Sequence, residues 1–227
     1  MHAVAIVAAA GSGSRLGAAL PKALVPLGGR PLVGWAVDAL FAGGVAEVVV
    51  TVPPAERAAF AAALPAQVRL VGGGTTRTAS VRAGLAAAGS RADVVLVHDA
   101  ARPLTPPDAV ARVLDALSAG ARAVVPVLPV VDTTVLVDDD GVVAEAVPRA
   151  ALRRVQTPQG FDRATLVAAY AALDDAVELT DDAAVVRAAG VPVRTVPGDE
   201  RSAKITVPHD LALAELSVGL TANEVHP

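Results

Sequence analysis

Apolar runs alternate with alanine-rich amphipathic stretches along most of the chain. The apolar residues at the start of the segment 4–22 are small or β-branched and do not alternate with polar residues, which is typical of a strand buried on both faces of a parallel sheet. The same pattern predicts further strands at 45–52, 68–71, 94–97, 124–127 and 193–196. It predicts helices at 31–42, 53–64, 80–88, 107–118, 163–173, 181–189 and 208–218. This alternation indicates an α/β fold, a Rossmann-like three-layer sandwich with a mainly parallel sheet.

The alternation stops at residue 131. Residues 133–137 and 142–147 predict a β-hairpin around a turn at 138–141, followed by an extended piece through 155. We interpret 131–156 as an arm inserted into a single domain of residues 1–227. Because two strands are marginally stable alone, we expect the arm to protrude and pack against a second copy of the chain, in a homodimer. An active-site flap within a monomer is the alternative. Residues 221–227 are predicted to form a loose tail.

Composition narrows the possible functions. The net charge is −4 and the basic residues are scattered, so we expect neither a nucleic-acid partner nor an anionic membrane partner. The absence of cysteine excludes disulfides and thiolate chemistry and fits a cytoplasmic location. No Lys or Arg precedes the short N-terminal apolar run, so a signal peptide is not expected, and no segment is long enough to span a bilayer.

A glycine-rich loop follows the first predicted strand. Gly11 and Gly13 allow a sharp turn close to a ligand, and the main-chain N–H groups of such a loop can hold phosphate oxygens. Gly17 gives the spacing G-x-G-x-x-x-G, which differs from the dinucleotide fingerprint and from the Walker pattern. Arg15 and Lys22 add two cations, which suit a triphosphate. An ordinary strand-to-helix connection with solvated cations is the alternative.

The distribution of basic residues is unusual. Of 19 basic residues, 17 are arginine, and the only lysines are Lys22 and Lys204. A chain so biased towards arginine that keeps two lysines in loop-like segments indicates a need for a compact ammonium group. Chance is the alternative explanation.

Asp99 follows the predicted strand at 94–97, so its carboxylate is expected to point into the crevice at the end of the sheet. Beside a triphosphate, the usual use of such a carboxylate is to bind Mg²⁺. An N-cap or a buried ion pair with Arg102 is the alternative. His98 is interpreted as a packing or hydrogen-bonding residue.

Three other segments carry candidate binding residues. Glycines at 72–74 precede Thr75 and Ser80, and such a segment can present backbone groups to a nucleobase, although a turn with Ser80 as helix cap would also explain it. Thr133 and Arg149 lie on or beside the predicted arm. Thr157 closes that segment, and Lys204 stands just before the last predicted helix.

Together these motifs resemble those of the 2-C-methyl-D-erythritol 4-phosphate cytidylyltransferases of the non-mevalonate isoprenoid pathway. The resemblance rests on residues 8–17, 21–22, 72–85, 97–103, 132–133, 149, 157–159, 204–206 and 208–215. It implies a fold of the nucleotide-diphospho-sugar transferase type and transfer of CMP from CTP to the phosphate of a sugar alcohol, with release of pyrophosphate. It also implies Mg²⁺ and a homodimer whose arms are exchanged.

The resemblance also implies roles for individual residues. Arg15 and Lys22 would stabilise charge on the α-phosphate at the transition state. Arg149 and Lys204 would hold the substrate phosphate for in-line attack. The implied substrate-binding residues are Ala9, Ala10, Gly11, Gly13, Gly74, Thr75, Ser80, Asp99, Ala100, Thr133 and Thr157, and Asp99 is also the implied metal ligand.

The chain departs from the family pattern at three positions. Thr75, Ala79 and Arg201 stand where acidic residues are common, which affects contacts to the base and ribose rather than the phosphate chemistry. Three other hypotheses stay open: a ribitol 5-phosphate cytidylyltransferase on the same scaffold, a non-catalytic CTP-binding regulator, and a dinucleotide-dependent oxidoreductase.

Overall fold

The main sheet is organised around β1 (Ala3–Ala8). In the computed structural model, which describes residues 1–11, 16–17, 20–174 and 179–224, the first five residues of this strand are at most 2% exposed. Ala5 and Val7 belong to one hydrophobic cluster, whereas Val4 and Ile6 belong to another on the opposite face. The uninterrupted apolar run therefore reflects a strand that is covered on both faces, as predicted.

Four parallel strands form the centre of the sheet, in the order β5 (Arg69–Gly72), β4 (Glu47–Val52), β1 and β6 (Val94–Asp99). Beyond β6 lies β11 (Gln159–Asp162), antiparallel to β6 and to β7 (Ala123–Pro129). The strand β7 also pairs with β10 (Arg153–Val155), antiparallel, and with β12 (Arg194–Pro197), parallel. The sheet is mixed but mainly parallel, which agrees with the predicted fold class.

Helices cover both faces of this sheet. One cluster joins the sheet to α1 (Leu32–Ala42), α2 (Arg57–Ala63) and α4 (Pro107–Ser118). The other joins it to α3 (Arg77–Ala88), α5 (Arg163–Ala172) and α6 (Asp182–Ala188). Phe60 and Phe161 are fully buried, one in each cluster. The predicted three-layer sandwich is confirmed.

A third hydrophobic cluster joins the two ends of the chain. The last helix, α7 (Pro208–Glu224), packs near a short hairpin of β2 (Pro26–Leu27) and β3 (Arg30–Pro31), around Leu27, Leu32 and Ile205. The Trp35 indole N–H donates to the Leu27 carbonyl oxygen over 2.9 Å. Because α7 continues to Glu224, the predicted loose tail is wrong for residues 221–224, and 225–227 lie outside the described residues.

The predicted hairpin is present as β8 (Thr134–Val137) and β9 (Val143–Val147), which pair with each other in a separate two-stranded sheet. Apolar side chains on these strands face solvent in the single chain: Leu136 is 54% exposed, and Val137 and Val143 are each 60% exposed. None of the helices in the described ranges is long and apolar enough to cross a bilayer.

Candidate active site

A cleft of about 590 Å³ opens at the carboxyl edge of the central parallel strands. Because β1, β4, β5 and β6 run in the same direction, the loops that follow them meet at this edge. Segments from both ends of the chain contribute to it. The lining residues are Ala8, Ala9, Ala10, Gly11, Lys22, Ala23, Gly74, Thr75, Thr76, Arg77, Ser80, Asp99, Ala100, Ala101, Lys204 and Thr206.

Asp99, the last residue of β6, carries the negative charge of the cleft. Its Oδ2 lies 2.8 Å from Lys204 Nζ, and its Oδ1 lies 3.7 Å from Arg77 Nη2. Burial alone would raise the pKa of Asp99, but the cations Lys204, Arg77 and Arg102 outweigh burial and hold the pKa at about 2. Asp99 is therefore ionised throughout the physiological range of pH.

Thr157 lies behind Asp99 and is almost fully buried. Its hydroxyl accepts a hydrogen bond from the Asp99 backbone N–H over 3.1 Å and is 2.8 Å from His98 Nδ1. Burial lowers the pKa of His98 to about 4, so this imidazole is neutral near pH 7. His98 is thus a buried hydrogen-bonding residue, as predicted. The structure places Thr157 beneath the cleft, where its hydroxyl fixes the backbone that carries Asp99.

Glycines allow the loop before α3 to pack closely. Ser80 Oγ accepts from the Gly74 N–H over 3.1 Å and donates to the Thr76 carbonyl oxygen over 2.9 Å. A Cβ atom at Gly74 would lie 2.4 Å from Ala79 Cβ, which real structures do not tolerate. Thr76 is the N-cap, because its side chain accepts from the Ala79 N–H. Helix α3 therefore starts before residue 80, and Ser80 shapes the loop from inside the first turn.

The loop after β1 supplies the opposite side of the cleft. Backbone hydrogen bonds from Ala9 N to Thr51 O, 3.0 Å, and from Ala100 N to Ala8 O, 3.3 Å, join the ends of neighbouring strands. Ala9, Ala10, Gly11 and Ala100, which the resemblance implies as substrate-binding residues, all line the cleft. Two other predicted site residues, Gly13 and Arg15, lie outside the described residues.

Both lysines of the chain reach the cleft. Lys22 opens the 3-10 turn Lys22–Leu24. Lys204 follows the 3-10 turn Glu200–Ser202 and is held near β6 by two neighbouring hydrogen bonds: Ile205 N to Ala101 O, 2.8 Å, and Arg102 Nη1 to Ser202 O, 2.7 Å. Arg201 does not join this set, because its guanidinium pairs with Asp199 over 2.9 Å.

Thr133 and Arg149 lie apart from the other predicted site residues. Both are exposed at the arm, and Arg149 Nη1 donates to the Val131 carbonyl oxygen over 2.6 Å. Among the residues that the structure describes, neither lines the cleft of its own chain.

Sequence reasoning missed Arg77, which lines the cleft and contacts Asp99. It is the one charged residue of the segment 72–81, and this position between two threonines after three glycines is the signal that could have found it. The site holds few metal-binding groups. Asp99 is the single carboxylate among the described lining residues, and no group of three or more His, Asp or Glu side chains suited to a metal occurs in the described ranges.

The fold, with several cations at the carboxyl end of the central parallel strands, is that of the α/β nucleotidyltransferases. A sequence model of IspD, 2-C-methyl-D-erythritol 4-phosphate cytidylyltransferase, matches residues 3–219, and the chain belongs to this family. The resemblance stated from the motifs is thereby confirmed.

Individual relatives agree with this assignment. The chain is 56% identical to the 2-C-methyl-D-erythritol 4-phosphate cytidylyltransferase of Nocardia farcinica, over 93% of this chain and 92% of that protein. The crystal structure of the enzyme of that name from Thermus thermophilus matches with a TM-score of 0.79 and 41% identity, over 96% of this chain and 98% of that one. The 4-diphosphocytidyl-2C-methyl-D-erythritol synthase of Anaerococcus prevotii matches with a TM-score of 0.83 and 27% identity, over the same shares.

Proposed function

We propose that this chain transfers CMP from CTP to 2-C-methyl-D-erythritol 4-phosphate. A phosphate oxygen of the acceptor attacks the α-phosphorus of CTP, and the bond from that phosphorus to the bridging oxygen of the β-phosphate breaks. The products are 4-diphosphocytidyl-2-C-methyl-D-erythritol and pyrophosphate. The observation that carries the proposal is that Lys22 and Lys204, the only lysines of the chain, line one cleft together with Asp99.

Charge neutralisation is the main chemical requirement of this reaction. The attacking phosphate is already ionised, so no general base is needed, and catalysis depends on alignment and on stabilising the charge that develops at the α-phosphate. The described lining residues include the cations Lys22, Arg77 and Lys204 but only one carboxylate. This excess of positive charge supports binding of two anionic substrates in an acidic protein.

We assign the cations to different substrates. Lys22, together with Arg15, stabilises charge on the α-phosphate, and Lys204, together with Arg149, holds the acceptor phosphate. Lys204 is suited to this role because Asp99 orients its ammonium group at 2.8 Å. The side of the cleft formed by Ala9, Gly74 and Ser80 binds the cytidine, because glycine and alanine allow a flat base to approach the backbone closely.

We propose Mg²⁺ as the metal of the reaction, with Asp99 as its protein ligand. The donor set fits a metal that arrives with its substrate, since Mg²⁺ is commonly held by one or two carboxylates together with phosphate oxygens. An ionised, cleft-lining carboxylate with a pKa of about 2 meets this requirement. When bound, the ion would neutralise phosphate charge and orient the leaving pyrophosphate.

We further propose a homodimer in which each arm reaches the cleft of the partner. The exposed apolar side chains of β8 and β9 support an interface there, and the placement of Thr133 and Arg149 outside the cleft of their own chain supports a role in the other one. A cytoplasmic location is part of the same proposal and is compatible with a chain that contains no cysteine.

The test is release of pyrophosphate with CTP and Mg²⁺, measured with 2-C-methyl-D-erythritol 4-phosphate, with ribitol 5-phosphate and without acceptor. Release that depends on the first acceptor is the expected result. Release with ribitol 5-phosphate alone would keep the mechanism and reassign the substrate. CTP binding without release under any condition would favour a non-catalytic regulator.

A further inference from the structure

A buried carboxylate lies behind the cleft, on the far side of Arg77. It belongs to Asp182, the first residue of α6, whose side chain is fully buried. Asp182 Oδ2 lies 2.6 Å from Arg77 Nη2, and Oδ1 accepts a hydrogen bond of 2.5 Å from the Tyr170 hydroxyl. A buried charge is tolerated only when such partners satisfy it, so both oxygens of Asp182 are held in place.

The start of α6 is itself fixed to the central sheet. Gln159, a buried residue of β11, donates from Nε2 to Asp181 Oδ2 over 2.8 Å and accepts at Oε1 from the Ala183 N–H over 2.9 Å. Asp181 also caps the helix by accepting from the Ala184 N–H. Asp182 therefore holds a defined position relative to the strands that form the cleft.

Arg77 also lines the cleft. Its side chain is 32% exposed, and the same Nη2 that contacts Asp182 lies 3.7 Å from Asp99 Oδ1. Burial alone would lower the pKa of Arg77, but Asp182 and Asp99 outweigh it and raise the pKa above its ordinary value. Within the described ranges, Arg77 donates its side-chain hydrogen bond from Nη2, and none is found from Nε or Nη1, so these two donors are available to a ligand.

We propose that Arg77 is a further nucleotide-binding residue of this cleft, and that Asp182 and Tyr170 are positioning residues that fix its guanidinium. A planar guanidinium suits phosphate oxygens, which accept from two of its N–H groups at once. Arg77 opens α3 directly after the loop that carries Gly74 and Thr76, so it belongs to the side of the cleft that the proposed function gives to CTP. The inference rests on that function for the identity of the nucleotide.

The experiment measures CTP binding by calorimetry in the presence of Mg²⁺, without acceptor. Arg77→Met is expected to weaken binding about tenfold or more, since hydrogen bonds to charged groups are among the strong ones. Asp182→Asn and Tyr170→Phe are expected to weaken it in the same direction, by smaller factors. Arg91→Met is the matched control, because Arg91 is exposed ahead of the amino end of β6. The affinity of this variant for CTP should stay within about twofold of the wild-type affinity.

A double-mutant cycle tests the positioning role. In the Arg77→Met background, Asp182→Asn should change the affinity by less than about twofold, because the group that it positions is gone. In steady state, each variant should raise KM for CTP while KM for the acceptor stays nearly unchanged. Should Asp182→Asn fail to fold, Tyr170→Phe, which removes one hydroxyl, takes its place in the cycle.

Wild-type affinity in Arg77→Met would overturn the binding role. An equal loss from Asp182→Asn with and without Arg77 would show a merely structural effect and overturn the positioning role. Failure of the proposed function would give a different result. A wild-type protein that binds CTP but releases no pyrophosphate with any acceptor would contradict the proposed reaction, and the comparison of CTP affinities between variants would stay valid.

Discussion

Lys204 Nζ lies 2.8 Å from Asp99 Oδ2, and this contact joins the loop before the last helix to the end of β6. The lysine is still 44% exposed, so its ammonium is oriented by the carboxylate and accessible from the cleft. Since Arg77 and Arg102 also lie within 4 Å of Asp99, the carboxylate keeps cationic partners when a phosphate draws Lys204 towards it.

Substitutions of Lys204 should distinguish a requirement for positive charge from a requirement for a compact ammonium group. Lys204→Ala is expected to lower kcat/KM for the acceptor about a hundredfold or more, because it removes a cation that faces the reacting phosphate. Lys204→Arg should recover only a small part of this loss if a compact ammonium is required. Steady-state kinetics with varied acceptor measure both. Full activity in Lys204→Arg would contradict the requirement for lysine and would show that any positive charge at this position is sufficient.

Lys22→Ala and Arg15→Ala should act on turnover rather than on folding. Each is expected to reduce kcat about a hundredfold or more while the free energy of unfolding stays within about 0.5 kcal/mol, because the proposed role of each cation is to stabilise the transition state rather than to pack in the core. Pyrophosphate release and denaturant unfolding measure the two quantities. Arg91→Ala, an exposed arginine ahead of the amino end of β6, is the control and should match the wild type. Unchanged kcat in Lys22→Ala would remove the proposed role.

The buried imidazole of His98 predicts a pH dependence of stability. Its pKa is lowered by burial to about 4 in the folded chain, against 6.5 in the unfolded chain. Between these pH values the unfolded chain binds a proton that the folded chain does not. The contribution of His98 to the free energy of unfolding is therefore fully present above pH 6.5, and it falls by up to about 3 kcal/mol as the pH drops to 4. Urea unfolding at a series of pH values measures this loss.

A pair of histidine variants tests the origin of that slope. His98→Asn should flatten the dependence between pH 4 and 6.5, because no titrating group then remains at the position. His209→Asn removes an exposed histidine of α7 and should keep the wild-type slope. An unchanged slope in His98→Asn would assign the dependence to other groups.

The arm predicts a concentration-dependent oligomer. Leu136→Asp is expected to raise the dissociation constant of the proposed dimer about a hundredfold or more, because the dimer interface would bury a carboxylate in place of the apolar side chain that is 54% exposed in the single chain. Light scattering over a range of protein concentrations measures it, and activity should fall with the dimer. Leu213→Asp, at a 52% exposed position of α7, is the control and should stay dimeric. A wild-type protein that is monomeric at all concentrations would favour the flap interpretation.

The sequence predicted best the features that depend on a local pattern of apolar, polar and turn-forming residues. The run at β1 has no polar position because both faces are covered, and the arm follows from a strand–turn–strand pattern that interrupts the helix-strand alternation. The position of Asp99 was predictable from the end of β6, because a polar side chain at the carboxyl end of a buried strand is expected to point into the crevice at the edge of the sheet. Membership of the family followed from the combination of motifs, which the family model then confirmed.

The features that sequence did not predict depend on distant contacts. Strand β11 is only four residues long and is stabilised between β6 and β7 rather than by its own composition. The pairing of Arg77 with Asp182 joins two helices far apart in the chain, and no local period signals it. The length of α7 was also missed, since the helix continues past residue 218 to Glu224.

The hydrogen bond from Ile205 N to Ala101 O sets an order in which the site can be assembled during synthesis. The four central parallel strands end at residue 99, so a nascent chain can complete them long before the ribosome reaches Lys204. Until then Asp99 lacks the contact with Lys204, and among the described residues its cationic neighbours within 4 Å are Arg77 and Arg102. A chain that stops before Lys204 would therefore contain the sequence of all four central strands but only one of the two lysines of the cleft.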